Sequence, residues 1–140
     1  MTTSRAFRPR VLVPACCALA AVTLLAAPAR SAPPKQVGTC DRTTIKLIGT
    51  RFEEGLVKPK PGSIDQGTSV ILTNGVVGIS YAFVPAVAAS KVGDSVMTCL
   101  ISVPKGCPKG DERGRVYTTT NLRTQDSWTL PDAQHMCGGA

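Results

Sequence analysis

The 140-residue chain has few of the residues from which metal and redox sites are built. It has one histidine, His135, and six cysteines, none of which form a Cys-x-x-Cys pair. Common zinc sites need cysteine or histidine pairs spaced two to four residues apart, and thioredoxin-like sites need Cys-x-x-Cys. The closest grouping, Asp132, His135 and Cys137, lacks a second pair. We therefore expect neither a metal ion nor another cofactor.

Signals of a hydrolase are equally sparse. The sequence contains no Gly-x-Ser-x-Gly turn that would expose a serine nucleophile. Neighbouring acids such as Glu53–Glu54 and Asp111–Glu112 lie in turn-rich segments, where carboxylates are usually solvated rather than paired as acid and base. A small hydrolase or metal-dependent enzyme centred on His135, with Asp132 beside it, is retained as the alternative to a non-enzymatic role.

The N-terminal segment has the three parts of a secretory signal peptide. Three arginines within the first ten residues precede the apolar run Val11–Ala27, and small residues follow it. This run of 17 residues is shorter than the roughly 20 residues that a membrane span requires. We therefore expect cleavage after Ala29 or Ser31 and no membrane span in the mature protein.

Export defines the compartment and the size of the working domain. We expect residues 1–29 to be the signal peptide, residues 30–39 a flexible proline-rich lead-in, and residues 40–140 a single domain. Without the three leader arginines the formal net charge falls from +7 to +4. Because this basic excess is small and scattered, we expect a periplasmic or secreted protein that has no nucleic-acid partner.

Four cysteines follow the leader: Cys40, Cys99, Cys107 and Cys137. An even number of thiols in a small exported domain indicates disulfides. We favour Cys99–Cys107 together with Cys40–Cys137, because the short segment between the first two contains proline and glycine and can fold back. The pairing of Cys40 with Cys99 and of Cys107 with Cys137 stays open.

Short β-branched segments separated by turns predict an all-β fold. Thr43–Phe52 and Ser95–Val103 are predicted strands. In the second strand, one alternating set is more apolar and includes a cysteine. We expect this set to face the core: Met97, Cys99, Ile101 and Val103.

Two hairpins and one helical turn complete the predicted fold. Residues 67–83 should form a hairpin with a type I′ turn at Asn74-Gly75, and residues 114–130 a second hairpin. Pro85–Ser90 favours a single helical turn, because proline suits a first helical position. The sequence therefore predicts a small antiparallel β-sandwich or barrel of five to six short strands, with at most one short helix, stabilised by disulfides.

The loop Pro104–Arg113 is the first candidate binding surface. Two prolines and a disulfide would stiffen it, and Lys105 and Lys109 would project from it. Rigid loops of this kind are typical of secreted inhibitors and binding modules, because preorganisation lowers the entropy cost of association.

The second candidate surface is the C-terminal hairpin, which interleaves rings and cations. Its candidate binding residues are Arg115, Tyr117, Arg123 and Trp128. Such a mixture is typical of a stacking surface. A tryptophan opposite a tyrosine on paired strands is equally typical of a core or cross-strand contact, so both interpretations stay open.

The C-terminal part of the chain carries a distinctive set of short segments. They are Gly114-Arg-Val-Tyr117, Asn121-Leu-Arg-Thr124, Trp128-Thr-Leu-Pro-Asp132, Gln134-His135 and Cys137-Gly-Gly139. This pattern resembles the signature of an uncharacterised family of small exported bacterial proteins that has no assigned activity. The resemblance implies a shared fold and carries over no catalytic role.

We therefore expect a non-enzymatic binding or structural protein of the cell envelope. Its partner would be an envelope protein or an extracellular ligand. A secreted enzyme inhibitor is a further alternative, and the sequence determines neither the ligand nor the oligomeric state.

Overall fold

The computed structural model describes residues 31–52 and 54–139, and the expected signal peptide lies outside them. Their regular elements are β1 (Cys40–Gly49), β2 (Thr68–Leu72), β3 (Val77–Ser80), α1 (Pro85–Ala88), β4 (Ser95–Ser102), β5 (Val116–Asn121) and β6 (Ser127–Pro131). The strands form one sheet in the order β3-β2-β1-β4-β5-β6, and all neighbours are antiparallel. The predicted mainly β fold with one short helix is confirmed. Within the described residues, no helix has the length and apolar character needed to cross a membrane.

Strand β1 belongs to both halves of the sheet and makes it curl. Its first half, Cys40–Thr44, pairs with β4, whereas its second half, from Ile45 to Gly49, pairs with β2. The register shifts between Ile45 and Leu47, and an irregularity of this kind bends a strand and increases its twist. The sheet consequently curls into a half-barrel in which β3 approaches β6.

The edge strands β3 and β6 come close together at Gly78 of β3. A Cβ atom at this position would lie 3.0 Å from Val70 Cγ1 and 3.3 Å from Leu130 Cβ and Cδ1. Both neighbours are buried core side chains, so they have little room to move. The close approach of the strands, and not an unusual backbone angle, explains the glycine.

We predict that Gly78→Ala lowers the free energy of unfolding by about 1–3 kcal/mol, as expected for overpacking a core. The control is Gly55→Ala, because a Cβ there would meet no atom within 4 Å. That control should stay within about 0.5 kcal/mol of wild type. Urea unfolding followed by circular dichroism measures both values. Equal stabilities of Gly78→Ala and Gly55→Ala would contradict the close packing around Gly78.

The inner face of the half-barrel holds the hydrophobic core. Its buried side chains are Ile45, Val70, Leu72, Val76, Val87, Val96, Leu100, Tyr117, Trp128 and Leu130. Val87 comes from α1 and is fully buried. This anchor attaches the short helix to the barrel.

Strand β4 faces the opposite way from the prediction. Val96, Thr98 and Leu100 are completely buried, whereas the more apolar set, which includes Met97, lies toward solvent. Thr98 tolerates burial because its hydroxyl is 2.9 Å from the Thr119 hydroxyl, and a hydrogen bond removes most of the cost of burying a polar group. A prediction from hydrophobicity alone therefore assigns the wrong face of β4 to the core.

The disulfides are Cys40–Cys99 and Cys107–Cys137. The favoured pairing of Cys99–Cys107 with Cys40–Cys137 is wrong, and the open alternative is correct. Cys40 and Cys99 are direct neighbours on β1 and β4, which places both sulfurs on the outer face of the sheet. Cys107 lies beyond the end of β4 and reaches the C-terminal segment instead.

The two disulfides should contribute in different ways. They link residues 59 and 30 positions apart, which in the loop-entropy model corresponds to about 4 and about 3.5 kcal/mol. We predict that C40S/C99S lowers the melting temperature of the whole sheet. The matched variant C107S/C137S should mainly free residues 133–139, detected as faster hydrogen exchange there with β1–β6 still protected. Equal loss of protection across the sheet in both variants would contradict this division.

The β2–β3 hairpin forms as predicted, but its turn is not type I′. The Leu72 carbonyl accepts a hydrogen bond from Gly75 N–H at 3.0 Å, and Leu72 N–H donates to the Val76 carbonyl at 2.9 Å. Gly75 has a φ of +91°, whereas Asn74 does not have a positive φ. This is the three-residue loop in which a type I turn precedes a left-handed glycine. Asn74 is buried and donates to Asp41 Oδ2, a contact with a residue remote in sequence.

Candidate functional site

A cleft of about 550 Å³ opens between α1 and β6. It lies in the gap between the two edge strands of the half-barrel that β3 does not fill. Its volume is within the range of about 300–1,000 Å³ that is typical of ligand sites. Its walls are mostly apolar. The lining residues are Val84, Pro85, Ala86, Ala89, Asp126, Ser127, Trp128, Thr129 and Leu130.

The N-terminal end of α1 is fixed by Thr68 and Pro85. Val84 N–H donates to Thr68 Oγ1 at 2.9 Å, and the same hydroxyl donates to the Ala82 carbonyl at 3.0 Å. Pro85 occupies the start of the helix, where its missing N–H costs no hydrogen bond. The predicted helical turn is confirmed at this position. The entire segment that leaves β3 is thus held against the barrel.

A polar network centred on Asp94 clamps the other end of α1. The Asp94 carboxylate accepts hydrogen bonds from Arg123 Nε and Nη2 at 2.8 and 2.7 Å and from Asn121 Nδ2 at 2.8 Å. Arg123 Nη2 also donates to the Ala89 carbonyl, and Asn121 Nδ2 to Ser90 Oγ. These bonds connect the end of the helix to the β5–β6 turn. They therefore fix the distance between the two walls of the cleft.

The network is electrostatically matched. Hydrogen bonds from Arg123, and then from Asn121, hold the pKa of Asp94 far below its usual range. The same contact raises the pKa of the Arg123 guanidinium. The ion pair is consequently formed throughout the neutral range. Arg123, a candidate binding residue in the sequence, is used here to position α1.

The hairpin does not present the aromatic face that would stack a ligand. Tyr117 and Trp128 are each only 5% exposed and belong to the core, and burial raises the pKa of Tyr117. Arg115 pairs with Glu112 at 2.6 Å. The core interpretation is correct for Tyr117 and Trp128, and the two arginines are held in ion pairs at the surface. Trp128 still reaches the cleft and forms part of its lining.

The loop between β4 and β5 is braced by the C-terminal segment. Besides the Cys107–Cys137 bond, Asp111 Oδ2 accepts hydrogen bonds from Gly138 N–H at 3.0 Å and from Arg113 Nη2 at 2.8 Å. The bond from Arg113, followed by that from Gly138, lowers the pKa of Asp111. The loop is therefore stabilised as expected from the sequence, but by the Cys107–Cys137 bond and Asp111 instead of Cys99–Cys107.

The candidate cations Lys105 and Lys109 are both exposed on this loop. No acidic side chain of the described ranges pairs with either of them. The structure thus leaves the two ammonium groups facing solvent on a braced support.

His135 lies at the surface and contacts Tyr81, with ring centroids 6.4 Å apart. In the described residues Asp132 makes no hydrogen bond to His135; its Oδ1 accepts instead from Gly114 N–H at 2.7 Å. Among residues 31–52 and 54–139, no three His, Cys, Asp or Glu side chains converge as potential metal ligands. The sequence proximity of Asp132 and His135 therefore does not produce an acid–base pair.

Arg51 is the centre of a surface cluster that sequence reasoning missed. Its guanidinium lies 4.3 Å from the Tyr81 ring centroid and 5.0 Å from that of Phe52, and its Nη1 donates to Gln134 Oε1 at 3.4 Å. Both rings are more than half exposed. Arg51, Tyr81 and Gln134 follow the ends of β1, β3 and β6. Because these residues are far apart in sequence, no local pattern predicts the cluster. A cation between two rings is a stacking contact.

No known protein-family model matches the chain, no curated protein is significantly similar to it, and no solved structure matches its fold at a significant level. The functional conclusion therefore depends on the geometry of these surfaces.

We predict that stability falls in acid through Asp94 and Asp111. Their folded pKa values are depressed, so their stabilisation is complete above the unfolded pKa near 4 and is lost as pH falls toward the folded values. Asp94→Asn should lower the melting temperature at pH 7 and reduce its further decrease between about pH 5 and pH 2.

Asp126→Asn is the matched control, because Asp126 is exposed and stands outside the network. It should melt like wild type at pH 7 and keep the same acid dependence. An Asp94→Asn protein that loses as much stability in acid as wild type would contradict the assignment.

Proposed function

We propose that this chain is a non-enzymatic binding protein of the cell envelope, acting in the periplasm or after secretion. The signal-like N-terminal sequence supports export. The two disulfides are consistent with an oxidising compartment. The two disulfides also brace the fold, which favours a rigid scaffold over a catalytic centre.

The observation that carries the proposal is the cleft between α1 and β6. Ligand sites are usually concave, mostly apolar, preformed and equipped with a few polar groups. The cleft has mostly apolar walls, and Asp126, Ser127 and Thr129 contribute polar residues to its lining. The bonds from Arg123 to Asp94 and to the Ala89 carbonyl keep these walls in place before any ligand arrives, which lowers the entropy cost of binding.

The braced loop with Lys105 and Lys109 supports a second candidate function, that of a secreted enzyme inhibitor. A loop held by Cys107–Cys137 and by Asp111 can be inserted into a partner's active site with little loss of conformational freedom. In this case the two lysines would contact the target enzyme, and the cleft would take no part.

Site-specific photo-crosslinking in the exporting cells separates the two candidates. A benzophenone amino acid is placed at Ala89 in the cleft, at Lys105 on the loop, and at the exposed Lys46 of β1 as a control. We expect an adduct of reproducible mass at position 89 and none at position 46. An adduct at position 105 alone would favour the inhibitor, and no adduct at position 89 would refute the cleft as the binding site.

A further inference from the structure

Within residues 31–52 and 54–139, one edge of the β6 backbone has no partner strand. Asn121 N–H donates to the Asp126 carbonyl at 2.9 Å, and Asp132 N–H donates to the Arg115 carbonyl at 2.8 Å. The register between these two bonds pairs Thr119 with Trp128, and hydrogen-bonded pairs alternate along antiparallel strands. The even-numbered residues of β6 therefore point their backbone groups toward β5.

The odd-numbered residues point theirs the other way. The N–H and C=O groups of Ser127 and Thr129 face away from β5, and β6 is the last strand of the sheet. Both residues line the cleft. One side of the cleft is thus a row of alternating donors and acceptors, spaced to match an extended chain.

The shape of the cleft selects the kind of strand that can pair with this edge. Helix α1 stands opposite β6; Val84 before the helix is bonded to Thr68, Ala89 after it to Arg123, and β3 reaches Leu130. An isolated added strand would need a width of only about 4.8 Å beside β6. A strand that carries its own sheet, such as β6 of a second copy, would bring neighbouring strands against α1.

The chemistry of the cleft selects the side chains. In an added strand, alternate residues would face Trp128 and Val84, which are apolar. Asp126 lines the cleft next to the β5–β6 turn, whose Arg123 donates to the Ala89 carbonyl. In the described part of the chain no lysine or arginine forms a salt bridge with the Asp126 carboxylate. A cationic side chain on the ligand would complement it.

We propose that the cleft binds an extended peptide as an added strand on β6, with apolar side chains at alternate positions and a lysine or arginine beside Asp126. This inference rests on the proposed binding function of the same cleft and names its ligand class. Recognition would use the backbone of Ser127 and Thr129 for affinity and the side-chain environment for specificity.

Thr129→Pro removes the outward N–H at the centre of this edge. The ladder with β5 does not use that N–H, and proline is tolerated on edge strands when its nitrogen faces away from the partner. Pro131 already occupies an equivalent outward position in the same strand. The matched control Thr129→Val keeps the N–H and removes only the hydroxyl, which lies 2.8 Å from the Thr118 hydroxyl on the outer face.

The probe is a displayed library of random octapeptides without tryptophan, selected on the exported wild-type protein and then synthesised. Trp128 is the single tryptophan of the chain, so its fluorescence reports occupancy of the cleft. We expect selected peptides to alternate apolar residues and to carry a lysine or arginine. Thr129→Pro should weaken them about tenfold or more, and Thr129→Val less than about threefold. Asp126→Asn should remove the preference for a cation.

Amide exchange provides a readout that needs no variant. The Ser127 and Thr129 amides should exchange rapidly in the free protein and become protected by a selected peptide, whereas the Trp128 amide should be protected in both states. Failure to select any peptide, unchanged affinity in Thr129→Pro, or unprotected Ser127 and Thr129 amides would overturn strand addition. A wild-type dimer that Thr129→Pro dissociates would also overturn it and would assign the edge to a second copy. A crosslink at position 89 combined with any of these results would preserve the binding function and replace the peptide by another ligand.

Discussion

The architecture depends on one strand pairing with two different neighbours. Because β1 gives its first five residues to β4 and its remaining paired residues to β2, the sheet has to bend in its middle. The bend brings the two edge strands toward each other, and Gly78 leaves room for Leu130 of β6. The cleft is the part of the gap between the edge strands that stays open, so it follows from the bend in β1. The Cys40–Cys99 bond links the first residue of β1 to β4.

Polar contacts determine how the remaining gap is used. Helix α1 has only four residues, too short to be stable by itself. Its position comes from the buried Val87 and from bonds to Thr68, Asn121 and Arg123. The position of the helix wall is therefore set by residues that do not line the cleft. This division separates the stability of the site from the chemistry of its lining.

Local patterns were sufficient to predict the strands, both hairpins and the helical turn, because turn chemistry and β-branching act over a few residues. The facing of β4 was not predictable from hydrophobicity, since a hydrogen bond between Thr98 and Thr119 makes a polar residue acceptable inside. The disulfide pairing depended on β1 lying beside β4, which is a long-range contact. The sequence marked Arg123 and Trp128 as candidate binding residues. Their structural roles emerged only when Asp94 and α1 were placed next to them, and the Arg51 cluster had no local signal at all.

A free strand edge is normally a hazard, because it can recruit further chains and seed aggregates. Here Pro131 has no N–H to offer at the next outward position of β6, and α1 shields the other side. The exposed edge is consequently limited to the stretch between Asp126 and Leu130. Such a short, shielded edge can accept one chain segment and cannot propagate a growing fibre.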